Sequence, residues 1–317
     1  MLFRSITASI IADNKVYDST TAATLQDNLQ SQLFSGDDVQ LSASGNFTDK
    51  NVGVGKTVNL NSLVSGADAG NYSITLNNTA TADITAKAIA ASIVADNKVY
   101  DSTTTATLQD NLQSQLFTGD DVQLSASGNF TDKNVGVGKT VNLSNVVSGA
   151  DANNYSITLN NTATADITAK AITASIIADN KVYDSTTAAT LQDNLQSQLF
   201  TGDDVQLAAA GNFTDKNVGI GKTVNLSHVI SGADAGNYSI TLNNTTTANI
   251  TAKIISSSIT ADNKVYDGTT SAVLQGQLTG VIAGDVVNLS LLGAFSDKNA
   301  GADKTVNIRR SRLTGTD

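Results

Sequence analysis

The side chains that could do chemistry in this sequence are aspartates in recurring polar loops. Asp37 and Asp38 are adjacent in one loop, and Asp49 and Asp68 lie in two others. Carboxylates and turn carbonyls are the hard oxygen ligands that calcium prefers. Asp37, Asp38 and Asp68 are therefore calcium candidates, although no loop has the spaced Asp/Asn pattern of an EF-hand. The alternative is that these aspartates close turns through hydrogen bonds to the backbone.

Few residue combinations in the chain could support catalysis. Cysteine is absent, and His228 is the only histidine. We expect His228 to be exposed and not to be a common feature of the repeat. Catalytic triads, thiol nucleophiles and Cys/His metal centres are thereby excluded. Adjacent carboxylates could act as an acid and a base, but the pair becomes Asp285-Val286 in the last copy of its loop. The chain is therefore predicted not to be an enzyme, with no catalytic or cofactor-binding residues.

The segment from Asn51 to Thr57 contains two glycines followed by Lys-Thr and superficially resembles a phosphate-binding loop. A P-loop needs four residues between its glycines, and only Val54 separates Gly53 from Gly55. The segment also falls between two strand patterns rather than before a helix. We therefore predict a hairpin turn here, held by Asp49 and Lys50.

These loops recur because the whole chain is a tandem array. The phrase Asp-Asn-Lys-Val-Tyr-Asp occurs four times at a spacing of 83 residues, and residues 6–88 and 89–171 differ at only eight aligned positions. A fixed period of this length indicates an array of similar modules. The predicted repeats are 6–88, 89–171, 172–254 and a truncated fourth repeat, 255–308.

The two ends differ in composition from the array. All four arginines, Arg4, Arg309, Arg310 and Arg312, lie there, and the repeats use only lysine. We therefore expect 1–5 and 309–317 to be foreign to the array. The fourth repeat is expected to stop short because the fragment comes from a longer gene.

Period-two alternation of apolar and polar residues predicts strands within each repeat. Gly-, Asn- and Asp-rich turn segments separate them. The chain has no glutamate and no proline, and aspartate favours turns over helices. In the first repeat the alternating apolar positions are Val39, Leu41 and Ala43; Val58 and Leu60; Tyr72, Ile74 and Leu76; and Ala82 and Ile84.

One segment, 25–34, is ambiguous because Leu25, Leu29 and Leu33 are spaced as on a helix face. The equivalent segment of the fourth repeat is one residue shorter and contains interior glycines, which favours strand and loop. The predicted fold is all-β, a tandem array of small Ig-like β-sandwich modules forming an elongated rod. The alternative is a β-grasp-like unit with one short helix.

Charge and hydropathy limit the partners. The formal net charge of −10 disfavours nucleic acid. No apolar run reaches the roughly 20 residues that span a bilayer. No Gly- or Pro-rich linker separates neighbouring repeats, so a semi-rigid array is expected. Recurring Tyr17 and Tyr72 could bind sugars if exposed, but both lie in apolar patterns and are predicted to be buried or partly buried.

Several phrases resemble the YDG-type repeat of large bacterial surface adhesins of the filamentous-haemagglutinin-like kind. They are Val-Tyr-Asp-Gly-Thr-Thr at 265–270, Gly-Asp-Asp-Val at 36–39, the segment 47–58 and the segment 65–72. The resemblance implies a secreted, surface-displayed, all-β repeat. One departure is Ser19, Ser102 and Ser185 where the fourth repeat has Gly268, which suggests that a positive φ is not required there.

Two functional hypotheses follow. The repeats could be the spacer of a secreted adhesin, holding a binding region away from the bacterial cell surface. Alternatively, each repeat could carry a weak site for a glycan or matrix protein, and repetition would raise affinity through avidity. Calcium is the only cofactor that the loop aspartates suggest.

Overall fold

The structure, a computed structural model, describes residues 3–316 and contains two compact units, Met1–Thr168 and Ala169–Asp317. The N-terminal unit contains eighteen strands, β1–β18. They are β1 (Arg4–Ala8), β2 (Ile10–Ala12), β3 (Lys15–Val16), β4 (Ala22–Ala23), β5 (Leu25–Asp27), β6 (Gln40–Phe47), β7 (Gly53–Ser65), β8 (Tyr72–Leu76), β9 (Thr79–Thr85), β10 (Lys87–Ala90), β11 (Ile93–Ala95), β12 (Lys98–Val99), β13 (Thr105–Ala106), β14 (Leu108–Asp110), β15 (Gln123–Phe130), β16 (Gly136–Ser148), β17 (Tyr155–Thr158) and β18 (Thr162–Thr168).

The C-terminal unit contains fourteen strands, β19–β32. They are β19 (Lys170–Thr173), β20 (Ile176–Ala178), β21 (Lys181–Val182), β22 (Ala188–Ala189), β23 (Leu191–Asp193), β24 (Gln206–Phe213), β25 (Gly219–Ser231), β26 (Tyr238–Thr241), β27 (Thr245–Thr251), β28 (Ser256–Ala261), β29 (Ser271–Ala272), β30 (Leu274–Thr279), β31 (Val287–Phe295) and β32 (Val306–Gly315). Short 3-10 turns occupy Gln30–Gln32, Ala69–Asn71, Gln113–Gln115, Ala152–Asn154, Leu195–Gln198 and Ala235–Asn237.

Each complete repeat is built from one five-stranded sheet and two strand pairs. In the first repeat the sheet order is β3-β9-β7-β6-β4, and only the β3–β9 pairing is parallel. The first strand, β1, pairs in parallel with β8, while β2 pairs antiparallel with β5. The second and third repeats have the same arrangement, with sheet orders β12-β18-β16-β15-β13 and β21-β27-β25-β24-β22.

The predicted all-β tandem architecture is confirmed, and the described residues contain no α-helix. The ambiguous segment forms strand β5 followed by a three-residue 3-10 turn at Gln30–Gln32. The helical alternative is therefore wrong. Leu29 is fully buried at the start of this turn, so the helix-like spacing of the leucines reflects packing of a compact turn.

The predicted inward-facing positions are confirmed in the first repeat. Val58 is fully buried, Tyr17 and Ile84 are 1% exposed, and Tyr72 is 8% exposed. The phenylalanine at the end of the β6-type strand is buried in the first three repeats, at Phe47, Phe130 and Phe213. Its counterpart Phe295 is only half-buried, because β32 there has no strand on its other edge.

A single residue, Ala86, separates β9 of the first repeat from β10 of the second. The hydrophobic core continues across this connection. Phe47 and Ile84 share one cluster with Ile89, Leu112 and Tyr155 of the second repeat. The repeats are thus joined by packing as well as by the chain, which explains why the sequence has no flexible linker.

Backbone geometry at residue 19 corrects the prediction made from sequence. Ser19, Ser102 and Ser185 adopt φ values of 66°, 64° and 65°, close to the 79° of Gly268. The positive φ is therefore retained when serine replaces glycine. The Asp18 carboxylate accepts hydrogen bonds from the backbone N–H of Thr20 (2.9 Å) and from its hydroxyl, which fixes the turn around this residue.

In the fourth repeat, strand β32 runs through Gly315 and pairs with β31 along its length. It therefore includes most of the segment 309–317, whose foreign origin remains a prediction. Gly315 occupies the place of Gly66, since an added Cβ would lie 2.2 Å from the carbonyl oxygen of Asp38 at Gly66 and 1.8 Å from that of Val286 at Gly315. Residues 1, 2 and 317 of the two predicted foreign ends lie outside the described residues.

Candidate functional site: the junction between consecutive repeats

An extensive polar cluster in the N-terminal unit lies where the first repeat meets the second. Its centre is Asp120, whose side chain is completely inaccessible to solvent. Tyr17 of the first repeat and Tyr155 of the second each donate a hydroxyl hydrogen bond of 2.7 Å to Asp120 Oδ2. Lys50 donates to Oδ1 at 2.5 Å, and the Ser19 hydroxyl donates to the same oxygen at 3.3 Å. One buried carboxylate thus joins four side chains from two repeats.

A second set of contacts lies beside this carboxylate. The backbone N–H of Val52 donates to Asn154 Oδ1 at 2.9 Å, and Asn154 Nδ2 donates to Asn51 Oδ1 at 3.1 Å. Asn154 is only 3% exposed. Lys50 also approaches Asp151 at 3.3 Å. The loop after β6 of the first repeat therefore contacts the 3-10 turn Ala152–Asn154 that precedes β17.

Aromatic rings cover the cluster from the apolar side. The Tyr17 ring packs edge-on against Tyr155 and Phe117, with centroid separations of 5.4 and 5.9 Å. The Lys50 ammonium lies 5.8 Å from the Tyr17 ring centroid. These contacts exclude water, so each hydrogen bond to Asp120 forms in surroundings of low polarity, where electrostatic interactions are strengthened.

The carboxylate at this junction stays ionised despite its burial. Burial alone raises the pKa of Asp120, but hydrogen bonds from Lys50, Tyr17 and Tyr155 outweigh that effect and hold the pKa at about 2. The same hydrogen bond raises the pKa of Lys50. Burial, together with the adjacent Asp120 charge, raises the pKa of Tyr155 to about 12. The buried charge is therefore balanced by a permanent cation and two neutral hydroxyl donors.

This balance predicts how acid affects the junction. The pKa of Asp120 is about 2 in the folded chain against 3.8 ordinarily, so its stabilisation is fully present above about pH 4 and is lost as the pH falls through 2. The shift corresponds to about 2 kcal/mol of unfolding free energy. Urea denaturation of the wild type and Asp120→Asn at pH 6, 4, 3 and 2 measures it. The stability difference should shrink by about that amount between pH 4 and pH 2, and a constant difference would contradict the assignment.

The C-terminal unit contains the same junction between its own two repeats. Tyr183 and Ser185 each donate to Asp285 Oδ1 at 3.1 Å, and Lys216 lies 3.5 Å from that oxygen. The Asp285 side chain is 4% exposed. Asp285 corresponds to Asp120. The first aspartate of the Asp-Asp pair therefore accepts the hydrogen bonds across the junction even in the fourth repeat, where Val286 replaces the second aspartate.

A match to a family of known sequences agrees with this modular organisation. The family described as YDG domain matches residues 4–82, 85–165, 168–248 and 250–317. These four matches cover nearly the entire chain. The chain belongs to the YDG domain family.

No curated protein matches this chain. Among solved structures, the crystal structure of the I9–I11 tandem from titin aligns with 80% of this chain and 97% of its own length, at 10% identity and a TM-score of 0.16.

The structure separates the calcium candidates of the first YDG domain. Asp68 Oδ2 accepts a hydrogen bond from the N–H of Asp38 at 2.9 Å, and Asp38 Oδ2 accepts one from the N–H of Ala67 at 3.1 Å. Asp37 instead accepts the Tyr72 hydroxyl. Across residues 3–316, no three His, Cys, Asp or Glu side chains are grouped as a metal site requires. Asp38 and Asp68 thus close a turn, and calcium binding by Asp37, Asp38 and Asp68 remains an untested prediction.

The hairpin turn predicted at 51–57 is only partly correct, because the turn lies at 48–52 and Gly53 already begins β7, which pairs with β9 through a bulge. Of the two predicted supports, one is correct. Asp49 accepts hydrogen bonds from the N–H of Asn51 at 2.8 Å and from Lys56 at 2.5 Å. Lys50 points away from the hairpin and reaches Asp120 of the next YDG domain. The prediction for Lys50 was wrong because its partner is 70 residues away.

His228 was predicted to be exposed and is instead half-buried. It lies in β25 opposite Ala209 of β24, and its Nδ1 is buried with no hydrogen-bond partner. Ala209 is also alanine in the first two repeats, at Ala43 and Ala126, and only its neighbours Ala208 and Ala210 replace serines.

Proposed function

We propose that these YDG domains form the spacer of a secreted bacterial surface adhesin, holding a binding region away from the cell. The buried junction at Asp120 is the observation that carries the proposal. A chain of independent binding modules needs no buried contacts between neighbours, whereas a spacer must limit bending between them. The one-residue connection at Ala86 supports the same conclusion.

The proposal includes small sandwich-like modules arranged as an elongated, semi-rigid rod. A strand of about seven residues spans roughly 23 Å, so each domain would add roughly 30–40 Å of length. The near-identity of the repeats suits this role, because a spacer can gain or lose domains without changing its chemistry. Surface display and secretion form part of the same proposal. In the described residues, no helix is long and apolar enough to cross a bilayer.

Deleting one repeat tests the spacer directly. Removing residues 89–171 joins Ala88 to Ile172 and recreates the natural connection, because the repeat period is preserved. Small-angle X-ray scattering should show the maximum dimension falling by roughly 30–40 Å, and inserting one extra copy should raise it equally. Repeating the measurement with calcium and with a chelator tests whether Asp37, Asp38 and Asp68 bind calcium, since a metal-free spacer has the same length in both solutions. An unchanged or irregular dimension would contradict the rod.

A second candidate function is multivalent binding, favoured by apolar side chains that recur on the surface. Val54, Val137 and Ile220 occupy the same hairpin bulge and are 89%, 89% and 91% exposed. Aliphatic side chains suit a protein surface such as a matrix protein better than a glycan, whose sugar rings favour aromatic residues. Spaced one repeat apart, they could act together through avidity.

The triple variant Val54→Ser, Val137→Ser, Ile220→Ser distinguishes the two functions. If the bulges bind a matrix protein, the apparent affinity for immobilised matrix should fall by well over tenfold, since three linked weak sites are lost together. The stability of the chain should change little because these side chains are exposed. Undiminished binding would remove this candidate and leave the spacer unaffected.

A further inference from the structure

Three Asn-x-Ser/Thr triplets recur at the same positions in the first three repeats. Their asparagines are Asn46, Asn71 and Asn77 in the first repeat, Asn129, Asn154 and Asn160 in the second, and Asn212, Asn237 and Asn243 in the third. This triplet is the acceptor sequence for N-glycosylation, in which a sugar is joined to the amide nitrogen of the asparagine. A chain rich in Asn and Thr also forms such triplets by chance, so the position of each asparagine in the fold must separate them.

The triplet at Asn77 is closed because both atoms of its amide already hold the backbone. Asn77 Nδ2 donates to the carbonyl oxygens of Ile10 and Thr79 at 2.8 Å each, and Oδ1 accepts the N–H of Ile10 at 2.7 Å. The counterparts Asn160 and Asn243 make the same three hydrogen bonds. A sugar on Nδ2 would replace a hydrogen that the fold uses.

Two further asparagines are closed by burial. Asn154 and Asn237 are 3% and 4% exposed. Asn154 also belongs to the junction, where its Oδ1 accepts the N–H of Val52 and its Nδ2 donates to Asn51. A sugar joined to either amide would have to displace the residues that bury it.

The triplet at Asn46 is open to solvent. It lies at the end of β6, where Gly45 and Phe47 are buried in the core. Because successive side chains of a strand point to opposite faces, Asn46 and Thr48 lie on the outer face of the sheet, and both are exposed. The asparagine and the threonine of one triplet are thus accessible together.

The amide nitrogen of this asparagine is uncommitted. Asn46 Oδ1 accepts a long hydrogen bond of 3.4 Å from the Thr21 hydroxyl, and within residues 3–316 its Nδ2 donates to no protein atom. Asn129 and Asn212 are also exposed, and their only such contacts are equally long, at 3.5 and 3.4 Å. The nitrogen that a sugar would join is therefore free in all three repeats.

The surface around Asn46 suits a sugar. Asn59 lies opposite Asn46 on β7, and Thr79 lies opposite Asn59 on β9. All three side chains are short, uncharged and exposed. They leave room for a sugar ring, and their amide and hydroxyl groups can hydrogen-bond to its hydroxyls.

We propose that Asn46, Asn129 and Asn212 are N-glycosylation sites, modified by a diphosphate-activated sugar that is carried by a nucleoside or a lipid. In the reaction, the bond from the anomeric carbon to the diphosphate oxygen breaks, and the diphosphate leaves with the electron pair. Asparagine Nδ2 forms the new bond to that carbon and loses one proton. The fourth repeat has Ala294 at this position and receives no sugar there. The proposal is independent of whether the repeats act as a spacer or as binding modules.

The test exposes the purified, folded chain to two enzymes in parallel. One is a soluble bacterial N-glycosyltransferase with UDP-glucose, and the other is a membrane oligosaccharyltransferase with a lipid-linked oligosaccharide. Mass spectrometry of proteolytic peptides locates the sugar, and its mass identifies the carrier, because one arm adds a hexose and the other an oligosaccharide. We expect Asn46, Asn129 and Asn212 to be modified in at least one arm. Asn77, Asn160 and Asn243 should stay unmodified in the folded chain but react in the unfolded peptide 71–85, which contains the Asn77 triplet.

Variants of one triplet separate recognition from folding. Thr48→Ala keeps Asn46 but removes the triplet, so modification should be lost at Asn46 and retained at Asn129 and Asn212 of the same molecule. Thr48→Ser keeps a hydroxyl and should retain modification at all three. Both variants should fold because Thr48 is exposed. The proposal is overturned if neither enzyme modifies Asn46, Asn129 or Asn212 in the folded chain, or if Asn77 is modified there as fully as Asn46.

Discussion

Replacing Asp120 by asparagine is expected to lower the free energy of unfolding at the first junction by about 3 kcal/mol at neutral pH. The amide keeps the size of the side chain but removes the charge that Lys50 faces at 2.5 Å. Whichever way the amide is turned, its NH2 group faces either the Lys50 ammonium, which cannot accept, or the hydroxyls of Tyr17 and Tyr155, which donate to the carboxylate. The cost is large because the Asp120 side chain is inaccessible to solvent.

The matched control is Asp37→Asn, the same substitution in the first repeat. Asp37 is only half-buried and accepts the Tyr72 hydroxyl. We expect a loss of about 1 kcal/mol there. Differential scanning calorimetry and urea titration of the full chain compare the two variants. Equal losses would show that Asp120 acts within its own repeat rather than between repeats.

Replacing Phe47 by alanine is expected to cost about 3–5 kcal/mol, as for other buried phenylalanines. Phe47 is 3% exposed, and the cluster that contains it extends to Ile89, Leu112 and Val122 of the second repeat. If the repeats were independent modules, only the first would unfold while its neighbours stayed folded. The shared core instead predicts that the start of the second repeat is weakened together with the first.

Hydrogen exchange measures how far the Phe47→Ala effect spreads. Amides of β10 and β17 should lose protection along with those of β6 and β7. Phe34→Ala is the control, since Phe34 is 61% exposed and its loss should cost less than about 0.5 kcal/mol. If protection in β10 and β17 were unchanged, the repeats would fold independently despite their common core.

The strands could be predicted from sequence because their signal is local. Val58 and Leu60 alternate with polar neighbours, and this period alone places them on the inner face. The fourfold repetition also allowed each segment to be compared with its counterparts, which favoured strand and loop at 25–34 but left a short helix as the alternative. Family membership was accessible for the same reason, since its phrases are contiguous.

The junction could not be predicted because its partners are distant along the chain. Tyr17 and Lys50 contact Asp120 across 103 and 70 residues. Asp37 and its counterparts in the later repeats lie in similar sequences. Only a counterpart that is preceded by another repeat can become a buried hydrogen-bond acceptor, as Asp120 is. The prediction that residue 19 needs no positive φ was wrong for a different reason. Residue type alone does not reveal a backbone conformation that neighbouring hydrogen bonds stabilise.

The parallel pairing of β1 with β8 and of β3 with β9 determines how a repeat carries tension. The chain enters a repeat at β1 and leaves it after β9, so stretching pulls β1 toward its amino end and β8, through β9, toward its carboxyl end. Two parallel strands pulled in this way slide along each other, which loads all their hydrogen bonds at once. The β3–β9 pair is loaded in the same sense. The first three repeats therefore resist extension in shear, because several hydrogen bonds must break together before their parallel strands separate.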